Sequence, residues 1–533
     1  MDNSAESRAP SRRALLAQIG AVAGGAAMYQ AMTALGHAAE SPYTGPIRLE
    51  GDPRGASVLI LGAGVAGMVA AMELRRAGYR VQVLEYSGRA GGRVWSLRGG
   101  DTYTELGGAT QRVAFDDGLY FNPGPWRIPY NHHAVLDYCH RLGVALEPFI
   151  QVNYNALVHG KDAFGGRPQR YRTVDADLRG GVSELLAKAA QAGRLDDRVT
   201  KGDQEILLEA LRSWGALNRD LTYAKSVQTS DRRGFDRDPG GGLSARPTPS
   251  DPVALKDVLS SRLWAYLATG TVYEFQTTMF QPVGGMDMIA RAMARECEGL
   301  IRYNTKVTGL MQDAQGVTVS FEDPRRPGTA TETMRADWCL CTIPLSILSQ
   351  IEHNLGPKMA AAVDAVPYAA SVKVGLQFKR RFWEQDEHIY GGISYTDLPI
   401  RMISYPSTGY GARGKGVVLG AYAFGPYAYE FTALPPEERV RRAVEWGGQL
   451  HPQYAQEFEN GVSVGWHRVP WALGCNGIWT DAKREEHYDN LCALDNRVLL
   501  AGEHASYIPA WQEGAILSSL DAIGRLHRRV VAA

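Results

Sequence analysis

The folded part of the chain opens on apolar runs broken by glycines. Val58 to Leu61 is an uninterrupted apolar run, the pattern of a strand buried on both faces. After glycines at 62, 64 and 67 apolar positions recur at helical spacing through Arg76, and Arg80 to Leu84 predicts a second strand ending at Glu85. Lys306-Val307-Thr308 falls in an alternating strand. Arg497 to Gly502 reads as a buried strand running into a turn, and Ala510 to Ile516 opens a helix that runs to about His527. SELLAKAAQ and EILLEALRSWGAL carry helical spacing within 176–281, whereas residues 367–480 alternate like strands and are rich in aromatics. Ser226 to Pro252 breaks the pattern, being rich in Gly, Pro, Arg and Asp with three glycines at 240–242. It is too polar to pack and long for a connection inside a compact domain, so it is expected to be an exposed excursion from the helical region.

A length of 533 residues exceeds one ordinary core and predicts two or three domains. The 57 basic and 57 acidic residues cancel, which leaves no basic excess to draw nucleic acid or an anionic membrane. Six cysteines are too few for a disulfide scaffold. Cys339 and Cys341 share one face of an apolar strand and read as core, and no metal site is expected. The N-terminus differs from the rest. Arg12 and Arg13 precede an uncharged, Ala/Gly-rich stretch from Ala14 to Leu35, with small residues at Gly36, Ala38 and Ala39. This is the layout of a twin-arginine signal over residues 1–39. It predicts export of an already folded protein to the periplasm or beyond. No other uncharged run reaches spanning length, so no membrane anchor is expected after cleavage.

The first glycine break is Gly62-x-Gly64-x-x-Gly67, set between a strand and a helix, with Glu85 at the end of the next strand. Gly62 permits the tight turn, Gly64 lets the backbone approach a pyrophosphate, and Gly67 lets helix and strand pack closely. The helix N-terminus offers free N–H groups and partial positive charge, and Glu85 suits ribose hydroxyls. The strand–turn–helix–strand context makes this a dinucleotide site. Directly after it come Gly88-Arg89-Ala90-Gly91-Gly92-Arg93-Val94, where Gly91 and Gly92 free the backbone and Arg89 and Arg93 neutralise phosphates.

That second glycine run resembles one in the flavin amine oxidases. Leu106-Gly107-Gly108 is similar to the family's next landmark, where the backbone passes the flavin ring. Gly502-Glu503 and Ala510-Trp511-Gln512-Glu513-Gly514 resemble its C-terminal motif, whose acid bonds the ribityl–pyrophosphate region and whose helix faces the flavin pyrimidine. The resemblance implies FAD, with Val307 giving a backbone contact to adenine. Monoamine oxidases tether FAD to a cysteine near the final motif; Ser506 to Glu513 contains none, so non-covalent FAD is expected. The expected fold is α/β. A discontinuous FAD-binding Rossmann-like domain (54–115, 282–366, 490–533) joins a mixed β-sheet substrate domain (116–175, 367–489) and a helical domain (176–281).

Within that family the closest resemblance is to L-amino acid oxidases. Pro125-Trp126-Arg127-Ile128-Pro129 resembles their segment placing an arginine on the substrate carboxylate. An inserted stretch, TQRVAFDDGLYFNPG, makes Arg112 a rival to Arg127. Tyr405, before Pro406, matches the tyrosine that joins the arginine on the carboxylate. Lys373 in SVKVGLQFK matches the lysine reaching the flavin N5 through a water, and Trp471 and Trp511 match aromatic pocket walls. The resemblance implies oxidative deamination of an L-amino acid by dioxygen, as part of amino acid catabolism. The products are a 2-oxo acid, ammonia and hydrogen peroxide, and the protein's share is mainly orientation and electrostatics. A homodimer or higher homo-oligomer is expected. An amine or polyamine oxidase, an amino acid monooxygenase giving an amide, and a non-catalytic flavoprotein are the alternatives.

Overall fold

A parallel sheet of five strands organises one half of the molecule. In the computed structural model, which describes residues 41–195, 199–243, 246–326, 328 and 330–532, its order is Ile301–Arg302, Arg80–Leu84, Ser57–Leu61, Trp338–Cys341 and Val498–Leu500. All neighbours in it run parallel. The twin-arginine stretch lies outside the described residues. Helices Val65–Arg76, Asp287–Glu296 and Gln512–Val531 pack against this sheet, burying Met68, Met72, Ile289, Met293 and Ile523 in a shared core. Cys339 and Cys341 face a second core on the opposite side. The fold is therefore α/β, as the alternation of apolar runs and helical spacing predicts.

The other half is a seven-stranded mixed sheet in the order 169–170, 157–159, 393–396, 402–404, 416–424, 371–378, 458–465. Its two long central strands, Ser371–Phe378 and Gly416–Phe424, are buried along nearly all their length. A three-stranded sheet (Ile128–Pro129, Met279–Pro282, Leu146–Phe149) bridges the halves.

Helices Tyr171–Gln191 and Lys201–Gly215 form the helical region. Here one expectation is corrected, for Ser226 to Pro252 is not a free excursion. Ser226 caps a helix, Val227–Arg233, whose Arg233 is buried and paired to buried Asp177 at 3.0 Å. Strands Phe235–Arg237 and Thr248–Pro249 then pair. Composition hid this because a polar segment packs when its charges find buried partners; the continuous stretch 236–243 is exposed. Among the described residues no helix is long and apolar enough to cross a membrane, and no group of three His, Cys, Asp or Glu would hold a metal ion.

Candidate functional site

A cavity of about 590 Å³ runs between the two sheets, and its walls change character along its length. One end is backbone. Gly62 takes φ +97°, and a Cβ on Gly67 would stand 2.0 Å from the Gly62 carbonyl oxygen, so the helix can begin this close to the turn only with glycine. Gly64, the N-cap, has no side-chain cap, and a Cβ there would project into open space. The first N–H groups of the helix thus face the cavity. Gly91 donates to the Ala63 carbonyl at 2.8 Å and holds the second glycine run against the first. Gly62, Gly64, Gly91, Gly92, Arg93, Gly502 and Glu503 all line this end. A cradle of exposed amides and open glycine faces suits a pyrophosphate, and the site fits FAD.

Two carboxylates shape this end. Glu85 accepts from the Ala63 N–H at 2.7 Å and from Ser87, and still faces the cavity beside Val307. Glu503 is buried, pairs with Arg93 at 2.6 Å and accepts from the Ala510 N–H at 3.0 Å. The two predicted arginines part company. Arg93 lines the cavity, whereas Arg89 is not among its lining residues and stacks on Trp95 and Trp471 at 4.6 and 5.4 Å from the ring centroids. Burial there pulls the Arg89 guanidinium down to about 10. Glu513 of the C-terminal motif serves the scaffold, accepting from the N–H groups of Ala134 and Val135 at the start of helix His133–Arg141.

The opposite end is built of side chains from the sheets. Arg127, Trp126, Gln151, Phe275, Tyr395, Met402, Tyr422, Phe424, Trp471 and Trp511 line it. Arg127 is 9% exposed, donates to Gln151 Oε1 at 3.0 Å and lies over the rings of Phe275 and Trp126 at 4.4 and 4.7 Å. Trp511 stands edge-on to His132 with centroids 4.9 Å apart.

Four expectations are corrected here. Gly107 and Gly108 are exposed and do not line the cavity; only Leu106 does. Their turn is fixed by Glu105, buried between Arg439 and Arg468. The backbone that passes the cavity is Pro123-Gly124-Pro125, where a Cβ on Gly124 would meet the Arg93 carbonyl oxygen at 1.9 Å. Arg112 is exposed, in a hairpin opposite Thr102, which removes it as a rival. Tyr405 is 1% exposed and bonds Ser394 Oγ and His451 Nε2, both at 2.6 Å. The reason is strand parity: Met402 faces the cavity, so Ile403 and Tyr405 face the core behind the sheet. The tyrosine on the cavity side is Tyr395, the register partner of Met402. Lys373 is buried behind the wall, with its ammonium 4.9 and 4.4 Å from the ring centroids of Trp126 and Tyr422 and bonded to the Gly124 and Asn122 carbonyls. Burial pulls it down to about 7.

Sequence reasoning also missed Gln151, Phe275, Tyr395 and Cys475, all of which line the cavity. Gln151 and Phe275 sit in segments with no motif of their own, whereas Tyr395 falls within the stretch before Tyr405-Pro406 that resembles L-amino acid oxidases, where only period-two alternation hinted at which side chains share a face.

Comparison with known proteins gives a consistent picture. Residues 65–525 match the model of a family described as flavin containing amine oxidoreductase. YobN of Bacillus subtilis (strain 168), provisionally named an L-amino-acid oxidase, is 29% identical over 487 residues, spanning 88% of this chain and 94% of that protein. An L-amino-acid oxidase of Siganus canaliculatus is 28% identical, over 89% of this chain and 86% of its own length. Among solved structures, a point mutant of putrescine oxidase with redesigned cofactor binding aligns over 90% of this chain and 99% of that one. Its TM-score is 0.57 at 17% identity, so it shares the fold.

Proposed function

The chain belongs to the flavin containing amine oxidoreductase family, and from that premise we propose that it is an FAD-dependent L-amino-acid oxidase. The observation that carries this reading is Arg127, a buried guanidinium in the cavity wall at the end away from the glycine cradle. A planar fork of donors in an apolar surround suits a carboxylate, which simple amines lack. The names of the relatives at 28–29% identity support the same substrate class.

Bound FAD would supply the two-electron acceptor for the substrate Cα–H, giving an imino acid that water hydrolyses to a 2-oxo acid and ammonia, with dioxygen yielding hydrogen peroxide. The chain's own residues bind and orient. Arg127 holds the carboxylate, and Phe275, Tyr395, Tyr422 and Trp511 enclose the substrate and exclude water. Arg93, Glu503 and the two glycine turns hold the cofactor. A peroxide assay of the purified protein across L-amino acids, D-amino acids and common amines tests the reading. Turnover confined to L-amino acids is expected; turnover of amines alone would overturn it.

Non-covalent FAD belongs to the same proposal. Acid precipitation should release free flavin into the supernatant. Flavin retained on the denatured protein would point to Cys475, the thiol in the cavity wall.

A further inference from the structure

With Tyr405 turned away from the cavity, Arg127 needs another partner if a carboxylate is to be held in one orientation. Gln151 follows the strand Leu146–Phe149, is 1% exposed and lines the cavity. Its amide orientation is settled by its neighbour. Arginine carries only donors, so the atom 3.0 Å from Arg127 Nη1 is the carbonyl oxygen, and Nε2 points elsewhere. That Nε2 is buried and has no hydrogen-bond partner among the described residues. A buried amide N–H pair without an acceptor is costly and marks a place where a ligand supplies one.

The surrounding wall sharpens the chemistry. Phe275 lies against Arg127, and its ring centroid is 6.1 Å from that of Trp511. Trp511 also lines the cavity, and its Nε1 is buried with no hydrogen-bond partner among the described residues. The acidic residues of the lining, Glu85 and Glu503, sit at the glycine end and are engaged there with Ala63, Ser87, Arg93 and Ala510. The Arg127 end therefore offers donors and takes an acceptor-rich, anionic group.

We propose that Gln151 is the second carboxylate-binding residue of this site, its Oε1 fixing the Arg127 guanidinium and its Nε2 donating to the same substrate carboxylate. The inference rests on the carboxylate reading of Arg127 and deepens it. The residue at 151 then decides whether the site accepts acids. A glutamate of the same shape would present an acceptor and a negative charge where the amide presents a donor.

The test is calorimetric titration of the FAD-loaded enzyme with benzoate, a carboxylate probe that is not turned over. KM for the best L-amino acid is the second readout. Gln151→Met should weaken benzoate by about tenfold or more and raise KM more than it lowers kcat, with flavin content and Tm near wild type. Gln151→Glu keeps the shape and the acceptor toward Arg127 and should weaken benzoate further, by about a hundredfold. Benzoate affinity and KM unchanged in either flavin-loaded variant would overturn the assignment. A wild-type enzyme that neither binds benzoate nor oxidises amino acids would fail differently, bringing down the carboxylate reading and this inference together.

Discussion

The two ends of the cavity are made in different ways. At the glycine end the wall is backbone, and three glycines within one strand–turn–helix unit set its shape. At the Arg127 end the wall is side chains from segments near 126, 151, 275, 395, 422 and 511. The first kind of site is local: a missing Cβ is a steric statement that a short motif can make. The second depends on which face each strand turns inward, and a slip of one residue reverses it. The glycine end should therefore tolerate almost no substitution, and the Arg127 end should be open to retuning residue by residue.

The largest effect on cofactor retention should come from the local end. Gly67→Ala forces a Cβ to 2.0 Å from the Gly62 carbonyl oxygen, so helix and turn must separate. Overpacking of this kind costs about 1–3 kcal/mol or more, and here it also spoils the pyrophosphate cradle. The purified variant should have lost most of its flavin absorbance. Full flavin content would show that the close approach does not shape the site.

Lys373 gives the next largest effect, as a dependence on pH. Its ordinary value of 10.5 falls to about 7 in the fold because burial disfavours the ammonium. Below about 7 both folded and unfolded chains are protonated, and the folded state carries the whole desolvation cost. Above 10.5 neither is protonated and the cost vanishes. Stability from this group therefore rises with pH across that window. Lys373→Met cannot be protonated, so its Tm relative to wild type should be higher at about pH 6 than at about pH 9. A difference that is flat with pH would contradict a charge buried at this position.

Tyr405 sharpens the parity argument. Tyr405→Phe leaves His451 and Ser394 each short of one hydrogen bond and should lower stability by about 1–3 kcal/mol. Its kcat/KM for amino acids should stay at the wild-type value, since the hydroxyl faces the core. A rise in KM with no loss of stability would restore Tyr405 to the substrate site.

The legibility of the sequence follows the same division. Strands Ser57–Leu61 and Arg80–Leu84 and the helix between them coincide with their apolar patterns, and Glu85 and Val307 lie at the cavity. Gly107-Gly108 misled because a glycine pair states only that the backbone turns. What approaches it is settled by the buried Glu105–Arg439 pair, far apart in sequence. Tyr405 misled because two tyrosines, at 395 and 405, flank one hairpin of antiparallel strands, and only the register Tyr395 to Met402 shows which faces in. Gln151 carried no signal at all, because an isolated glutamine becomes informative only when its amide is seen buried against Arg127.

The carboxylate reading is tested most directly by comparing Arg127→Ala with wild type on two substrates, an L-amino acid and the amine left when its carboxylate is removed. Truncating one partner of a buried charge pair costs about 3–5 kcal/mol, or roughly two to four powers of ten in kcat/KM. With flavin content matched, that loss should appear for the amino acid, while any slow oxidation of the amine should change far less. Equal losses on both substrates, or full amino acid turnover by the flavin-loaded variant, would contradict Arg127 as the carboxylate anchor.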